Sequence, residues 1–104
     1  MFGKRQINLQ LTQRTKAFVD RFKLTSNLTN PILGITWSRV SDEPNERWTL
    51  GLYERQDVHE GWLGVAPEFD FVAIQEWIFD ELENRTLDFD NATGLVTLSP
   101  IERL

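Results

Sequence analysis

Two groups of side chains in this sequence have residue types that can do chemistry. The first is His59, the chain's one histidine, with Asp57 and Glu60 close to it in sequence. An imidazole beside carboxylates can hold a metal ion or act as a general base. One histidine with adjacent acids in a loop lacks the convergent ligands of a transition-metal site, and a base needs a pocket with a substrate in reach. We therefore interpret His59 as an exposed loop residue, with His59, Asp57, Glu60 and the nearby Glu54 as the alternative metal candidates.

The second group is Asp88 and Asp90, two residues apart on one face of a predicted strand. Paired carboxylates can do acid–base work or hold a hard cation such as calcium. The sequence does not continue as a calcium-binding loop, because Ala92 and Thr93 stand where a ligand and a glycine belong. A solvated strand face is the preferred interpretation, since charged side chains are mostly outside.

Motifs with a known mechanism are missing from the sequence. It contains no glycine-rich nucleotide loop, no nucleophile elbow and no paired-histidine zinc motif. It also contains no cysteine, which excludes disulfides, thiolate metal ligands and a cysteine nucleophile. The sequence therefore predicts a non-catalytic protein with no bound cofactor and no metal.

Length and composition indicate one globular domain covering residues 1–104. The 104 residues are 40% hydrophobic and 26% charged, with four tryptophans among the aromatic residues. No apolar run approaches the ~18 residues that span a bilayer, and the first residues lack the apolar stretch of a signal peptide. We expect a cytoplasmic protein that does not bind membranes.

Charge is divided unevenly along the chain. Residues 1–23 carry six basic side chains against Asp20, a net charge of +5, whereas residues 24–104 carry five arginines against fifteen acids, a net charge of −10. An acidic body argues against nucleic acid as a partner. The basic segment is either a docking patch or, in the preferred interpretation, is neutralised by the chain's own acids or solvated.

Hydrophobic periodicity predicts six or seven short strands and two helices. One helix covers Gln13–Lys23 with Thr12 as its N-cap, and the other covers Ala73–Glu83. The predicted strands are Gln6–Leu11, Ile32–Val40, Arg47–Arg55, Trp62–Val65, Phe69–Val72, one around Leu87–Asp90, and Leu95–Leu98. Turns are predicted at Ser41–Glu46 and Asp90–Gly94.

The apolar faces of these elements define a candidate core. The first helix would bury Ala17, Phe18 and Phe22; the second would bury Ile74, Trp77, Ile78 and Leu82. Three tryptophans, Trp37, Trp48 and Trp77, lie on predicted apolar faces, so we assign them to the core and not to a ligand site. The result is a mainly β domain with two short helices, a small sandwich or open barrel whose strands pair mostly as antiparallel hairpins.

Three stretches follow one another in a recognisable order. The first, INLQLTQRTKAFVDRF (7–22), has a strand of type I-x-L-T and then a helix. The next, ILGITWSRV (32–40) with RWTLGLYER (47–55), is a hairpin. The last, FDFVAIQEWIFDELENRTLDFDNATGLV (69–96), has a strand, a short helix of type S-L-x-x-L, a strand of type I-D-Y, a glycine and a final strand. Together they resemble the HesB-like fold of the A-type iron–sulfur cluster carriers, and WTLGLY (48–53) is most similar to the cysteine-poor branch of that family.

The resemblance implies a fold but no site residues. The carriers bind clusters through one cysteine after the first hairpin strand and two near the C-terminus. Here those regions are TWSRVS (36–41) and SPIERL (99–104), which hold no thiolate donor. The resemblance therefore implies an accessory or binding role, in iron–sulfur assembly or elsewhere, through an unidentified protein partner. A regulatory interaction module and a small metal-dependent enzyme are the alternatives, and we expect a monomer or a weak homodimer.

Overall fold

The computed structural model describes residues 3–39 and 46–101 as eight strands, two α-helices and one 3₁₀ turn. In chain order these are β1 (Gly3–Gln6), β2 (Leu9–Leu11), α1 (Gln13–Thr25), β3 (Pro31–Arg39), β4 (Glu46–Glu54), the 3₁₀ turn (Arg55–Asp57), β5 (Trp62–Val65), β6 (Asp70–Ala73), α2 (Ile78–Leu82), β7 (Arg85–Asp90) and β8 (Leu95–Pro100). The predicted mainly β class with two short helices is confirmed. The turn predicted at Ser41–Glu46 lies, apart from Glu46, outside the described residues. Neither helix in the described ranges has the length and apolarity to cross a bilayer.

The strands form two mixed sheets. The larger has the order β1-β5-β6-β3-β4 and the smaller has the order β2-β7-β8. Three of the pairings are parallel: β1 with β5, β2 with β7 and β3 with β6. Hairpins give only antiparallel pairs, so the predicted hairpins do not account for these three. The edge strands β4 and β8 approach each other, but no ladder joins them among the described residues, so the two sheets do not close into a barrel.

The strand predicted at Gln6–Leu11 is two strands in two different sheets. The chain leaves the larger sheet after Gln6 and enters the smaller one at Leu9. Backbone hydrogen bonds hold both sides of this crossing: Ile7 N–H donates to Val65 O at 3.0 Å, and Asn84 N–H donates to Asn8 O at 2.8 Å. The sequence alternation is continuous through the crossing and gives no sign of the break.

The hairpin of β3 and β4 carries the faces that its alternation predicts. Leu33 and Ile35 are fully buried, and their register partners are Leu52 and Leu50. Further along the hairpin Trp37 lies opposite Trp48, with their ring centroids 4.8 Å apart in an edge-to-face arrangement. This face lies on the core between the sheets, whose other buried residues include Leu9, Phe71, Ile78, Leu82 and Leu87.

Helix α1 begins as predicted but buries a different stripe. Thr12 is the N-cap, and its Oγ1 accepts from Thr15 N–H at 3.4 Å. The buried residues are Thr15 and Val19, whereas Ala17 and Phe22 are exposed. The reason is the docking of Thr15 on β7, which turns the predicted stripe outwards.

Phe18 is intermediate, because its ring packs 4.5 Å from that of Phe89, at the edge of the core. The ring of Phe22 packs against that of Phe18, with their centroids 5.6 Å apart, and 38% of the surface of Phe22 is exposed. The aromatic side of α1 therefore extends from the core to the solvent instead of lying within the core.

Helix α2 is much shorter than the predicted Ala73–Glu83. Ala73 belongs to β6, where it pairs with Trp62, and residues 74–77 form bends and turns before the helix. Ile78 and Leu82 are buried as predicted, but Ile74 and Trp77 are each 42% exposed. Trp77 still packs on the core tryptophans, with its ring centroid 6.0 Å from that of Trp37. The predicted core assignment therefore holds for Trp37 and Trp48. It is wrong for Trp77, which packs at the edge of the core and is partly exposed to solvent.

Asp88 does not lie on a solvated strand face, which corrects the interpretation made from its sequence. Its Oδ1 accepts from Arg14 Nε at 2.8 Å and from the Thr12 hydroxyl at 2.6 Å, and Arg14 Nη2 donates to Oδ2. The side chain is 25% exposed. These donors, the arginine first, hold the pKa of Asp88 well below its usual range, and the carboxylate raises the pKa of Arg14 in return. Asp90 is not part of this contact, because its Oδ1 accepts from Ala92 N–H within the turn that follows β7.

Three of the six basic residues in the N-terminal segment have acidic partners. Arg14 pairs with Asp88, Lys16 with Glu68, and Arg5 with Glu76 at 2.9 Å. For these three residues the preferred interpretation, neutralisation by the chain's own acids, is confirmed.

The first prediction concerns Gly64, which lies opposite Phe71 in the register of β5 and β6. A Cβ at Gly64 would lie 2.4 Å from Phe71 Cζ and 2.8 Å from Phe79 Cε1, and both rings are buried. We expect Gly64→Ala to lower the free energy of unfolding by about 1–3 kcal/mol, measured by urea denaturation, because a packed core has no room for the methyl group. Gly51→Ala is the matched control, since a Cβ there meets nothing within 4 Å. Equal stability of the two variants would contradict the packing described here.

The second prediction concerns acid stability. A carboxyl whose folded pKa is depressed stabilises the fold fully above its unfolded pKa of about 3.9, and that contribution is lost as the pH falls towards the folded value. We expect Asp88→Asn to lower the free energy of unfolding by about 1–2 kcal/mol at pH 7, a figure reduced for partial exposure. The gap between wild type and variant should narrow below about pH 4. Asp90→Asn serves as the control on the same strand, and a gap for Asp88→Asn that stays constant down to pH 2 would argue against the contact with Arg14 and Thr12.

Candidate functional site: an apolar cleft with an acidic rim

A cleft of about 360 Å³ opens on the outer face of the larger sheet, away from the core. We call it the Tyr53 cleft. It is bounded by the end of β4, the 3₁₀ turn with the loop that follows it, and the end of β6. Its lining residues are Tyr53, Glu54, Asp57, Val58, His59, Glu60, Val72 and Ile74.

Strand alternation places the apolar part of this cleft. Phe71 faces the core, so Val72 faces the opposite side of the sheet, and Tyr53 lies on that side of β4. Val72 is 1% exposed and forms the base, whereas Tyr53 and Ile74 are 38% and 42% exposed and form the walls. The cleft therefore has a buried aliphatic floor and two large hydrophobic side chains that remain open to solvent.

Gly34 makes room for the aromatic wall. A Cβ at this position would lie 2.0 Å from Tyr53 Cε2, so any other residue would displace the ring. Gly34 lies opposite Gly51 in the hairpin register and beside Val72 on β6. A glycine within a strand often marks a close approach of another group, which here is the tyrosine ring.

The rim of the cleft is acidic. Glu54, Asp57 and Glu60 all line it, and no lysine or arginine is among the described residues that do. Asp57 and Glu60 are exposed. The Glu54 carboxylate is held in place by the backbone of Asn30, whose N–H lies 3.2 Å from Oε1 and 3.1 Å from Oε2. Three carboxylates with no lysine or arginine among the described lining residues make the cleft attractive to a positively charged group.

The structure therefore brings together the first group of sequence candidates. Asp57, His59 and Glu60 lie beside one cleft with Glu54, and His59 is exposed as its loop position predicts. No three histidine, aspartate or glutamate side chains of the described ranges are grouped so that they could hold a metal ion. The second group does not line this cleft. Asp88 accepts hydrogen bonds from the start of α1, and Asp90 accepts one within the turn after β7. The chemistry that this cleft supports is recognition of a cationic, partly apolar group.

Sequence reasoning missed the apolar half of the site, namely Tyr53, Val58, Val72 and Ile74. The sequence predicts Ile74 on a buried helix face, and its alternation places Tyr53 only on the face of its strand that Thr49 and Gly51 share. The usable signal was the pair of glycines, Gly34 and Gly51, on the same face of the hairpin as Tyr53. Such a pair leaves a gap in which an aromatic side chain can lie flat.

Comparisons with known proteins place this chain in no family. It has no significant match to a protein-family model, to a curated protein or to a solved structure. The resemblance to HesB-like proteins accordingly stays a prediction, and the Tyr53 cleft is assessed on its own geometry.

Proposed function

We propose that this chain is a non-catalytic binding protein that captures a basic, partly apolar segment of a partner protein in the Tyr53 cleft. The observation that supports this most directly is the combination of an apolar floor with a rim of three carboxylates that has no lysine or arginine among its described residues. Lysine and arginine side chains match that combination, because an aliphatic stem can lie on apolar surface while the charged head stays at the wetter edge.

The exposed hydrophobic residues supply a reason for binding. Tyr53 and Ile74 leave more than a third of their surfaces in water, and burying apolar surface contributes about 25 cal/mol per Å². Tyrosine is also enriched at interfaces, where its ring provides contact area at low entropic cost. A partner segment that covers both walls would remove this surface from water.

The size of the cleft limits what it can take. A volume of about 360 Å³ lies at the lower end of the roughly 300–1,000 Å³ typical of ligand pockets. One lysine or arginine side chain and part of a neighbouring apolar residue fill that space. The cleft therefore suits a short segment of a chain better than a large ligand.

The scaffold is a second part of the proposal. It rests on the HesB-like resemblance of the sequence over residues 7–22, 32–40, 47–55 and 69–96. The chain has no cysteine to ligate a cluster, so on this scaffold the role is contact with a partner, as an accessory of iron–sulfur assembly. The alternative partner is a regulatory protein unrelated to that process. The cysteine-free sequence also supports a place in the cytoplasm.

The binding experiment uses two defined probes, the peptide acetyl-Ala-Leu-Arg-Ala-amide and the same peptide with glutamine in place of arginine. We expect the arginine peptide to shift the amide resonances of Tyr53, Val58 and Ile74, and to bind more weakly as salt is raised. The double variant Asp57→Asn with Glu60→Gln should weaken binding about three- to tenfold, since exposed charge pairs contribute up to about 1 kcal/mol each. Glu81→Gln is the matched control, an exposed acid of α2 outside the cleft.

The apolar walls are tested in the same titration. Ile74→Ser should weaken binding, whereas Leu95→Ser, at a more exposed hydrophobic residue on β8, should not. Equal affinity for both peptides, or an unchanged affinity in the rim variant, would contradict the proposed role of the cleft. Affinity capture with wild type and the rim variant then separates the two partner classes: an iron–sulfur assembly protein retained only by wild type supports the accessory role.

A further inference from the structure

A second cavity lies between α1 and the first residues of β3 and β6. It has a volume of about 270 Å³, and we call it the α1 cavity. It is distinct from the Tyr53 cleft, with which it shares no lining residue. Its inner surface is apolar: Val19 and Ile32 are buried, and Leu11 and Phe69 are half-buried beside them.

Charged side chains surround this apolar surface, and four of them neutralise one another. Lys16 pairs with Glu68, and Arg55 Nη2 lies 3.4 Å from Asp70 Oδ2. Each of these pairs joins a cation and a carboxylate that both line the cavity. They are therefore committed to each other and are poor partners for a ligand.

One cation and one carboxylate of the lining remain. Lys23 and Asp20, three residues apart on α1, form no ion pair with any residue in the described part of the chain. Residues three apart in a helix lie on the same side, so both side chains border the same opening. A ligand at the apolar surface would meet one free positive and one free negative group.

We propose that the α1 cavity binds a small zwitterion with an apolar side chain, an α-amino acid of about the size of leucine. The carboxylate of the ligand pairs with Lys23 Nζ, its ammonium pairs with the Asp20 carboxylate, and its side chain lies on Val19 and Ile32. The volume of about 270 Å³ is on the scale of a single small molecule, just below the roughly 300–1,000 Å³ typical of ligand pockets. A ligand with only one charge leaves either Lys23 or Asp20 without a partner.

The experiment titrates the whole protein with L-leucine and, separately, with 4-methylpentanoate and 3-methylbutylamine, which lack the ammonium and the carboxylate respectively. Binding is measured by calorimetry, and the site is identified by the amide shifts of Val19, Ile32 and Phe69. We expect leucine to bind at least fivefold more tightly than either analogue. Asp20→Asn and Lys23→Gln should each weaken leucine binding about fivefold, the upper end for a single exposed ion pair. Both changes are at the edge of a helix with little contact to the core, so the fold should persist, which far-UV circular dichroism checks.

Two controls make the same charge changes outside the cavity, Asp80→Asn and Lys4→Gln, both at exposed positions. They should leave leucine binding unchanged. No shift at Val19, Ile32 and Phe69 with leucine, valine or methionine would overturn the inference, and so would equal binding of leucine and 4-methylpentanoate. Because the arginine peptide and leucine are followed at different residues, failure of one site leaves the result for the other unaffected.

Discussion

The fold depends on one segment, residues 3–11, which pairs in parallel with a strand of each sheet. Its first half pairs with β5 in the larger sheet and its second half pairs with β7 in the smaller one. Parallel pairs need long connections, so this segment meets its partners only after about sixty residues of chain in one case and about seventy-five in the other. The crossing at Ile7 and Asn8 therefore fixes the position of the two sheets relative to each other, and with it the core that they enclose.

The same segment determines where α1 lies, and α1 in turn determines which surfaces are left over. Because β2 runs directly into Thr12, the first turn of the helix is placed beside β7, where Thr15 Oγ1 accepts from Phe89 N–H at 2.7 Å. Thr15 is fully buried, and its hydrogen bonds satisfy the polar group that burial would otherwise penalise. With this side of α1 fixed, Lys16, Asp20 and Lys23 border the α1 cavity. A polar contact at the start of the helix thus sets the surroundings of a cavity at its end.

Much of the fold could be predicted from the sequence, and the failures have physical causes. The hairpin was predictable because its alternation is long and its inward residues are all large and apolar, and Thr12 was predictable because an N-cap needs only its own side chain. The helix predicted at Ala73–Glu83 was too long because Ile74 and Trp77 continue the helical spacing of Ile78 and Leu82, whereas Ala73 pairs with Trp62 in the sheet and residues 74–77 form bends and turns. Tertiary pairing outweighs periodicity in a short segment.

The candidate site was half predictable for a related reason. Its acids are close together in sequence and could be noticed, but its floor comes from β6 and its aromatic wall from β4, two strands that flank β3 and come near each other only in the folded sheet. Asp88 was misinterpreted for the converse reason: Arg14, which neutralises it, lies 74 residues away, so its sequence neighbours gave no information about its surroundings.

The distribution of cations gives the acids of this chain different roles. Asp88, Glu68, Glu76 and Asp70 each face a basic residue of the same chain and serve to join elements. At the Tyr53 cleft the lining residues in the described part of the chain include three acids and no lysine or arginine. Charges of one sign that share a small region repel one another, and an outside cation would relieve that repulsion. Since three acids at the Tyr53 cleft stand next to the exposed Tyr53 and Ile74, the charge and the apolar surface both favour one kind of occupant: a positively charged side chain with an aliphatic stem, presented by another molecule.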